Sequence, residues 1–350
     1  MVRIAPGRAL YAFSSYPSPS LTHMTVTSSI PEPMTFAGPS LSPSRAADFK
    51  TCPLLFRFRT IDKLPERATT DQVRGTLVHA VLESLFDLPA AERTPAAAAA
   101  LVEPSWQRLL AEEPALSALF APVLGHGPSP VAGTQALAGT AALEVGGEPT
   151  QLAAFLAGAG ELLNGYFAVE DPTRLEPAER ESLVNTMVAD QLLIRGYIDR
   201  LDISPGGDLR VVDYKTGGAP REAFEGRALF QLKFYALVLW RTRGVVPRVL
   251  RLLYLKDAEI CDYSPDSEEL ERFERTLIAL SQAIEQAKAD HDFRPKPSKL
   301  CGWCSHQAFC PEFGGTPPPY PDPAALPGQP TDRAVQPDPT RVVDPTDDSM

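Results

Sequence analysis

Residues 192–217 read LLIRGYIDRLDISPGGDLRVVDYKTG. Pro205, Gly206 and Gly207 supply a turn between two apolar-rich runs, so the stretch predicts a β-hairpin of strands 191–204 and 208–216. Strand side chains repeat every two residues, which puts Asp213 and Lys215 on one face. Asp199 stands on the preceding strand, at a spacing that brings its carboxylate toward Asp213 near one end of the sheet. Two carboxylates at one point attract a hard divalent cation with oxygen ligands, Mg²⁺ or Mn²⁺. A lysine beside them can orient or activate a water and balance charge building on a phosphate. The three residues together suit phosphodiester hydrolysis. The KTG triplet at 215–217 also occurs in serine β-lactamases, but no Ser-x-x-Lys accompanies it here.

Elements on either side of the hairpin have helical or strand periods. Residues 72–88 carry Val73, Leu77, Val81 and Leu85 at helical spacing, with Asp71 as the expected N-cap and Pro89 as the stop. His79 lies near the polar edge of this helix, one turn before Glu83. An imidazole there favours Mn²⁺ over Mg²⁺ if it meets the acidic pair; otherwise it is a packing or capping residue. Residues 90–165 are rich in Ala and Leu and predict a helical insertion broken by a loop around Gly125–Gly139. A helix over 225–242 stops at Gly244. On it, Gln231 and Tyr235 are four apart and share a face. They can hold a phosphate or a base, although Tyr235 also fits the core stripe of Leu232 and Leu239. Residues 247–256 predict a strand. Asp266 and Glu269 form a capping-box-like start for a helix to about 290. Helix, hairpin, helix, strand, helix is a mixed α/β order.

Five cysteines are present, and Cys301, Cys304 and Cys310 form C-x2-C-x5-C. In a chain without disulfide context this spacing reads as metal or cluster ligation. Cys52, in KTCPLLF, is the candidate fourth ligand, and His306 is a substitute that suits zinc. Cys261 reads as an ordinary buried thiol. Four thiolates bind Zn²⁺ or a [4Fe–4S] cluster, and spacing does not separate the two. A tie from Cys52 to Cys301 closes a loop of roughly 250 residues, worth at most about 5 kcal/mol in the chain-entropy model. The site is therefore expected to be structural.

Composition sets the outer limits. The chain has 350 residues, a formal charge of −11, 44% hydrophobic residues and 22% charged ones, which excludes a wholly disordered polymer. Residues 1–40 read as a disordered leader, with Met24 as an alternative start. Residues 315–350 hold ten prolines, six aspartates and two arginines. They read as a disordered acidic tail, leaving 41–314 as the folded domain. Runs of about 18 apolar residues and a signal-peptide pattern are missing, so a cytoplasmic chain without a membrane span is expected. No G-x4-GK-[ST] loop appears, so any helicase motor would be a separate protein. Residues 45–74 carry seven Lys/Arg against four acids, a local net of +3 that is a candidate for gripping a nucleic-acid strand.

Taken in order, LSPSRAADFKTCPLLFRF (41–58), RGTLVHAVLE (74–83), GYIDRLD (196–202), VVDYKTG (211–217), QLKFY (231–235) and CGWCSHQAFC (301–310) resemble the RecB-type exonuclease family of the PD-(D/E)XK nuclease superfamily. That family includes RecB and AddB nuclease domains and Cas4-like proteins, and the resemblance spans roughly 41–312. It implies a restriction-endonuclease-like α/β core, a mixed central sheet flanked by helices, with a helical insertion and a C-terminal iron–sulfur segment. It implies that His79, Asp199, Asp213 and the Tyr214 carbonyl bind Mg²⁺ or Mn²⁺, that Lys215 positions the attacking water, and that Gln231 and Tyr235 support the site and DNA. It implies a [4Fe–4S] cluster on Cys52, Cys301, Cys304 and Cys310, favoured over zinc. Glu181, in AERES, corresponds loosely to a further acidic position. The implied activity is metal-dependent DNA exonuclease action, at ends of single-stranded character, in repair or recombination. The implied alternative is a non-catalytic DNA-binding or complex-forming module on the same fold.

Overall fold

Among the described residues, six strands form one mixed sheet: β1 (Ser40–Leu41), β2 (Glu179–Val188), β3 (Leu192–Ile203), β4 (Leu209–Lys215), β5 (Val249–Tyr254) and β6 (Glu259–Tyr263). The structure is a computed structural model and describes residue 36 and residues 38–120, 151–219 and 225–321. The predicted hairpin is β3–β4. At its turn, Gly207 adopts φ 85°, and the Ser204 hydroxyl accepts the Asp208 N–H at 3.0 Å. β2 runs antiparallel along most of β3, while β4 lies antiparallel to β3 and parallel to β5, and β6 closes the edge antiparallel to β5. The short β1 pairs parallel with Leu193 and Ile194 of β3, so Ser40 belongs to the sheet rather than to a leader.

Helices cover both faces: α1 (Pro43–Thr51), α2 (Pro53–Phe56), α3 (Thr70–Leu85), α4 (Pro95–Glu112), α5 (Gln151–Val169), α6 (Glu225–Arg243) and α7 (Ser267–Ala289). Val211, Leu250 and Leu252 pack with Phe234 and Leu237 of α6 and Leu277 of α7. Their strand neighbours Val212, Tyr214 and Leu253 pack instead with Leu77 of α3, Trp106 of α4 and Phe155 of α5. Alternate residues of one strand thus enter two cores, which is why β4 and β5 read as nearly continuous apolar runs.

Several boundaries differ from the sequence expectation. α3 is capped by Thr69, not Asp71: the Thr69 hydroxyl accepts the Gln72 N–H, and Gln72 Oε1 accepts the Thr69 N–H. This Thr-x-x-Gln box satisfies two orphan N–H groups at once, which a cap at Asp71 would not. The helix ends at Leu85, before Pro89 could stop it. At α7 only half of the expected box forms. Asp266 accepts the Glu269 N–H, but the Glu269 carboxylate takes Lys233 at 2.7 Å and the Tyr263 hydroxyl instead.

The expected insertion is α4 and α5, with 3₁₀ turns at Ala90–Glu92 and Pro114–Phe120; its loop near Gly125–Gly139 lies outside the described residues. So do the leader up to residue 35 with Met24, and residues 322–350 of the tail. Residues 315–321 are described and pack on the domain. Tyr320 stacks on His291 with ring centroids 3.9 Å apart, and Arg57 donates to the Pro318 carbonyl. Aromatic stacking holds a proline-rich segment that periodicity alone assigned to the tail. Among the described residues, α5 is long and apolar enough to cross a membrane. Its Phe155, Ala159, Leu163 and Tyr166 are buried in the second core.

Candidate active site

The site lies where β4 parts from β3. Their ladder ends at the pair Arg200–Val212; one step further in the same register, Asp199 faces Asp213. There β4 continues alone beside β5, and Tyr214 keeps a backbone N–H and C=O with no strand partner on the β3 side. Side chains satisfy both. Tyr214 N–H donates to Asp199 Oδ2 at 2.8 Å, and His79 Nε2 donates to the Tyr214 carbonyl at 2.9 Å. Buried backbone groups need such partners, so the splayed strands explain why an acid and a histidine converge here.

Glu181 joins them from β2. The β2–β3 ladder passes from Arg180–Arg200 to Ser182–Ile198, which places Glu181 across from Asp199. Glu181, Asp199 and Asp213 therefore form a row across three adjacent strands. Glu181 Oε1 and Asp199 Oδ2 each lie 3.6 Å from His79 Nδ1. Among the described residues, His79, Glu181 and Asp199 form the trio whose ligand atoms all lie within 4.8 Å of one another. The expected set had Asp213 and the Tyr214 carbonyl in place of Glu181. Asp213 stands across from Asp199 with its Oδ2 2.5 Å from Lys215 Nζ, and the Tyr214 carbonyl accepts from His79 Nε2.

Electrostatics match this crowding. Burial and the neighbouring Asp213 charge push the Asp199 carboxyl up to about 7. Burial lowers the affinity of His79 for a proton, but Asp199, Glu181 and Asp213 outweigh it and hold the imidazolium up to about 9. Like charges this close call for a cation among them. The donor set, one imidazole and carboxylate oxygens, fits Mn²⁺ and Mg²⁺.

α6 supplies the other side. Lys215 Nζ donates to Gln231 Oε1 at 3.0 Å, and Gln231 Nε2 donates to the Tyr235 hydroxyl at 3.0 Å. The chain Asp213–Lys215–Gln231–Tyr235 holds the ammonium between an acid and an amide. Tyr235 is buried, so its phenol is held neutral and the hydroxyl stays available to Gln231. Tyr235 thus joins both readings made of it, core residue and site residue.

The four expected cysteines meet. Cys52, Cys301, Cys304 and Cys310 line one cavity of about 50 Å³, with Leu54 and Phe58 among its apolar walls. Lys296 N–H donates to Cys52 Sγ at 3.4 Å and Ser298 N–H to Cys301 Sγ at 3.2 Å, contacts that suit thiolate sulfur. His306, the substitute ligand, is turned away, with Nε2 2.7 Å from Glu66 Oε1. Cys261 lies on β6, half-buried against the first core.

The basic stretch 45–74 is largely committed to the fold. Arg57 pairs with Asp62, Arg59 with Asp48 and Glu66, and Arg74 with Asp71. Its net charge is therefore a poor measure of what it offers a strand.

A mixed sheet with helices on both faces, whose central hairpin gathers acids and a lysine where two strands part, defines a nuclease-type α/β core. The chain matches the PD-(D/E)XK nuclease superfamily over residues 40–311 and belongs to that superfamily. A stretch of 127 residues is 32% identical to the Gene 69 protein of Mycobacterium phage D29, covering 35% of this chain and 45% of that protein. The chain thus spans less than half the length of that relative. The crystal structure of a "Putative exonuclease" from Eubacterium rectale aligns with 76% of this chain and 87% of that one, at 11% identity and a TM-score of 0.43.

Proposed function

We propose that this chain is a divalent-metal-dependent deoxyribonuclease, an exonuclease that hydrolyses phosphodiester bonds at DNA ends of single-stranded character, acting in repair or recombination. The observation that carries the reading is the ion pair of Asp213 and Lys215 at 2.5 Å, set one register step across from Asp199. In this reading Asp213-Tyr214-Lys215 is the (D/E)-x-K element of the superfamily. His79, Asp199 and Asp213 would hold Mg²⁺ or Mn²⁺, which would supply activation of a water and neutralisation of charge on the scissile phosphate. Lys215 orients the attacking water and offsets charge as the phosphate becomes more negative. Asp213 and Gln231 keep its ammonium in place, and Tyr235 fixes Gln231. Cys52, Cys301, Cys304 and Cys310 hold a [4Fe–4S] cluster; their convergence on one cavity and the N–H donors at two of the sulfurs support a thiolate-bound site there. A helicase, if one is needed to open duplex ends, is a separate partner.

The test is cleavage of end-labelled single- and double-stranded DNA by anaerobically prepared protein with Mg²⁺ or Mn²⁺, beside Asp213→Ala and Lys215→Ala. Metal-dependent shortening lost in both variants supports the reading, and the labelled end gives the polarity. Full activity in both variants sinks the assigned site. No cleavage by folded, cluster-loaded protein moves the weight to a DNA-binding module.

A further inference from the structure

β3 has a break along one side. Away from β2 it pairs with β1 at Leu193 and Ile194 and with β4 only from Arg200 onward. Among the described residues, no strand therefore lies beside 195–199 on that side. Asp199 ends the break at the active site, and Gly196 lies within it against the Tyr235 ring.

Tyr197 stands in the middle of this break. Its neighbour Ile198 is buried in the first core, as is Val184 of β2. Period two then puts Tyr197 on the other face of β3, in step with Asp199, which meets His79 of α3 there. Leu183 takes the same face of β2, and the register pairs it directly with Tyr197. Neither residue joins either core: Tyr197 is 38% exposed and Leu183 42%. Apolar residues exposed singly need no explanation. These two are joined across strands, border a break in the sheet and lead straight to the site. Two residues along a strand span about 7 Å, close to the reach from a phosphate to the base of the same nucleotide. A tyrosine ring stacks on any base, whatever the sequence. A base inside a duplex is already stacked and must leave the helix to meet it.

We propose that Tyr197, flanked by Leu183, is a stacking platform for an unpaired base of the substrate strand, next to the phosphate held at Asp199. The proposal rests on the nuclease reading above and deepens it, because it assigns the preference for single-stranded ends to one aromatic ring.

The experiment measures binding of fluorescein-labelled oligothymidylate to the full chain without divalent metal, and Mn²⁺-dependent cleavage separately. A strand of equal length made wholly of abasic residues keeps the phosphates and removes the bases. Tyr197→Ala is expected to weaken oligothymidylate binding about tenfold, and Tyr197→Phe, which keeps the ring, to stay within about twofold of wild type. On the abasic strand, wild type and Tyr197→Ala should bind alike. Tyr197→Ala should melt within about 3 °C of wild type, since it removes one exposed cross-strand pair. Wild-type affinity for oligothymidylate in Tyr197→Ala overturns the proposal. So does an equal loss on both strands, which would mark a merely structural role. A wild type that sediments as a dimer and a Tyr197→Ala that sediments as a monomer would also overturn it, giving the face to a second copy of the chain. If wild type cleaves DNA but the binding pattern fails, the platform falls and the nuclease stands. If the pattern holds without any cleavage, the platform stands and the nuclease reading falls.

Discussion

The ring of Tyr235 lies so close to the bare Cα of Gly196 that a methyl group there would come 2.7 Å from Tyr235 Cε1. Pro43 closes the same spot at 3.3 Å. Tyr235 is buried and cannot swing aside without breaking its bond from Gln231, which in turn holds Lys215. Gly196→Ala should therefore act through Tyr235 on the lysine. We expect a loss of about 1–3 kcal/mol in stability from overpacking. We also expect roughly a hundredfold drop in cleavage rate, the scale of a misplacement near 1 Å. Chemical denaturation and single-turnover cleavage at saturating Mn²⁺ measure the two separately. A destabilised variant with wild-type turnover would show that the glycine serves packing alone.

The hairpin and its acids were legible because Pro205-Gly206-Gly207 is overt turn chemistry and apolar alternation flanks it. β2 was not legible. Its turn into β3 is built by Ala189 and Asp190, which adopt φ 50° and 54° without any glycine to signal it. Its burial pattern also fails to alternate. The turn into β6 hides in the same way, with Ala258 at φ 52°. Missing β2 meant missing what Glu181 faces: the third residue of an unread strand has no address until the β2–β3 register places it opposite Asp199. Asp213, Lys215, Gln231 and Tyr235 needed only period two on a strand and period four on a helix, and all four converge. The buried pairing of Arg200 left no trace at all, since an arginine in a strand reads as solvent-facing.

That arginine yields a pH prediction. Arg200 is fully buried and donates to both oxygens of Glu170, at 2.6 and 2.9 Å, and to the Tyr214 hydroxyl at 2.9 Å. Burial alone would raise the Glu170 carboxyl, but Arg200 outweighs it and holds the group below its usual range. A depressed folded pKa means that the stabilisation is present above the unfolded value of about 4.3 and is lost as pH falls through the folded one. Glu170→Gln should cost about 3–5 kcal/mol at pH 7, because it leaves a buried guanidinium short of charge. The melting temperatures of wild type and Glu170→Gln should converge as pH drops below about 4. A gap that stays constant with pH would remove the charge from the explanation.

The cysteine cavity joins α1–α2 to the segment after α7, residues far apart in sequence. Anaerobically purified protein should contain about four irons and matching sulfide per chain. Cys304→Ser should lower the melting temperature of the whole domain, with the chain-entropy ceiling near about 5 kcal/mol. Iron analysis and calorimetry read these outcomes. One zinc and no iron would reject the cluster, and an unchanged melt in Cys304→Ser would reject the staple.

The segment after Gly314 tests where the domain ends. Tyr320 stacks on His291 at 3.9 Å between centroids and lies nearly parallel to Phe293 at 6.1 Å. Phe293 in turn stacks on Phe56 of α2, next to the guanidinium of Arg57 that donates to the Pro318 carbonyl. Residues 318–320 therefore pack against Arg57 and the segment after α7. A chain ending at residue 321 should melt like the full chain. One ending at residue 314 should lose about 1–3 kcal/mol, the order of one aromatic pair with its buried area and one charged hydrogen bond. Tyr320→Ala in the full chain should reproduce most of that loss. Equal melting of the two truncated chains would mean that Tyr320 rests on the surface without holding it.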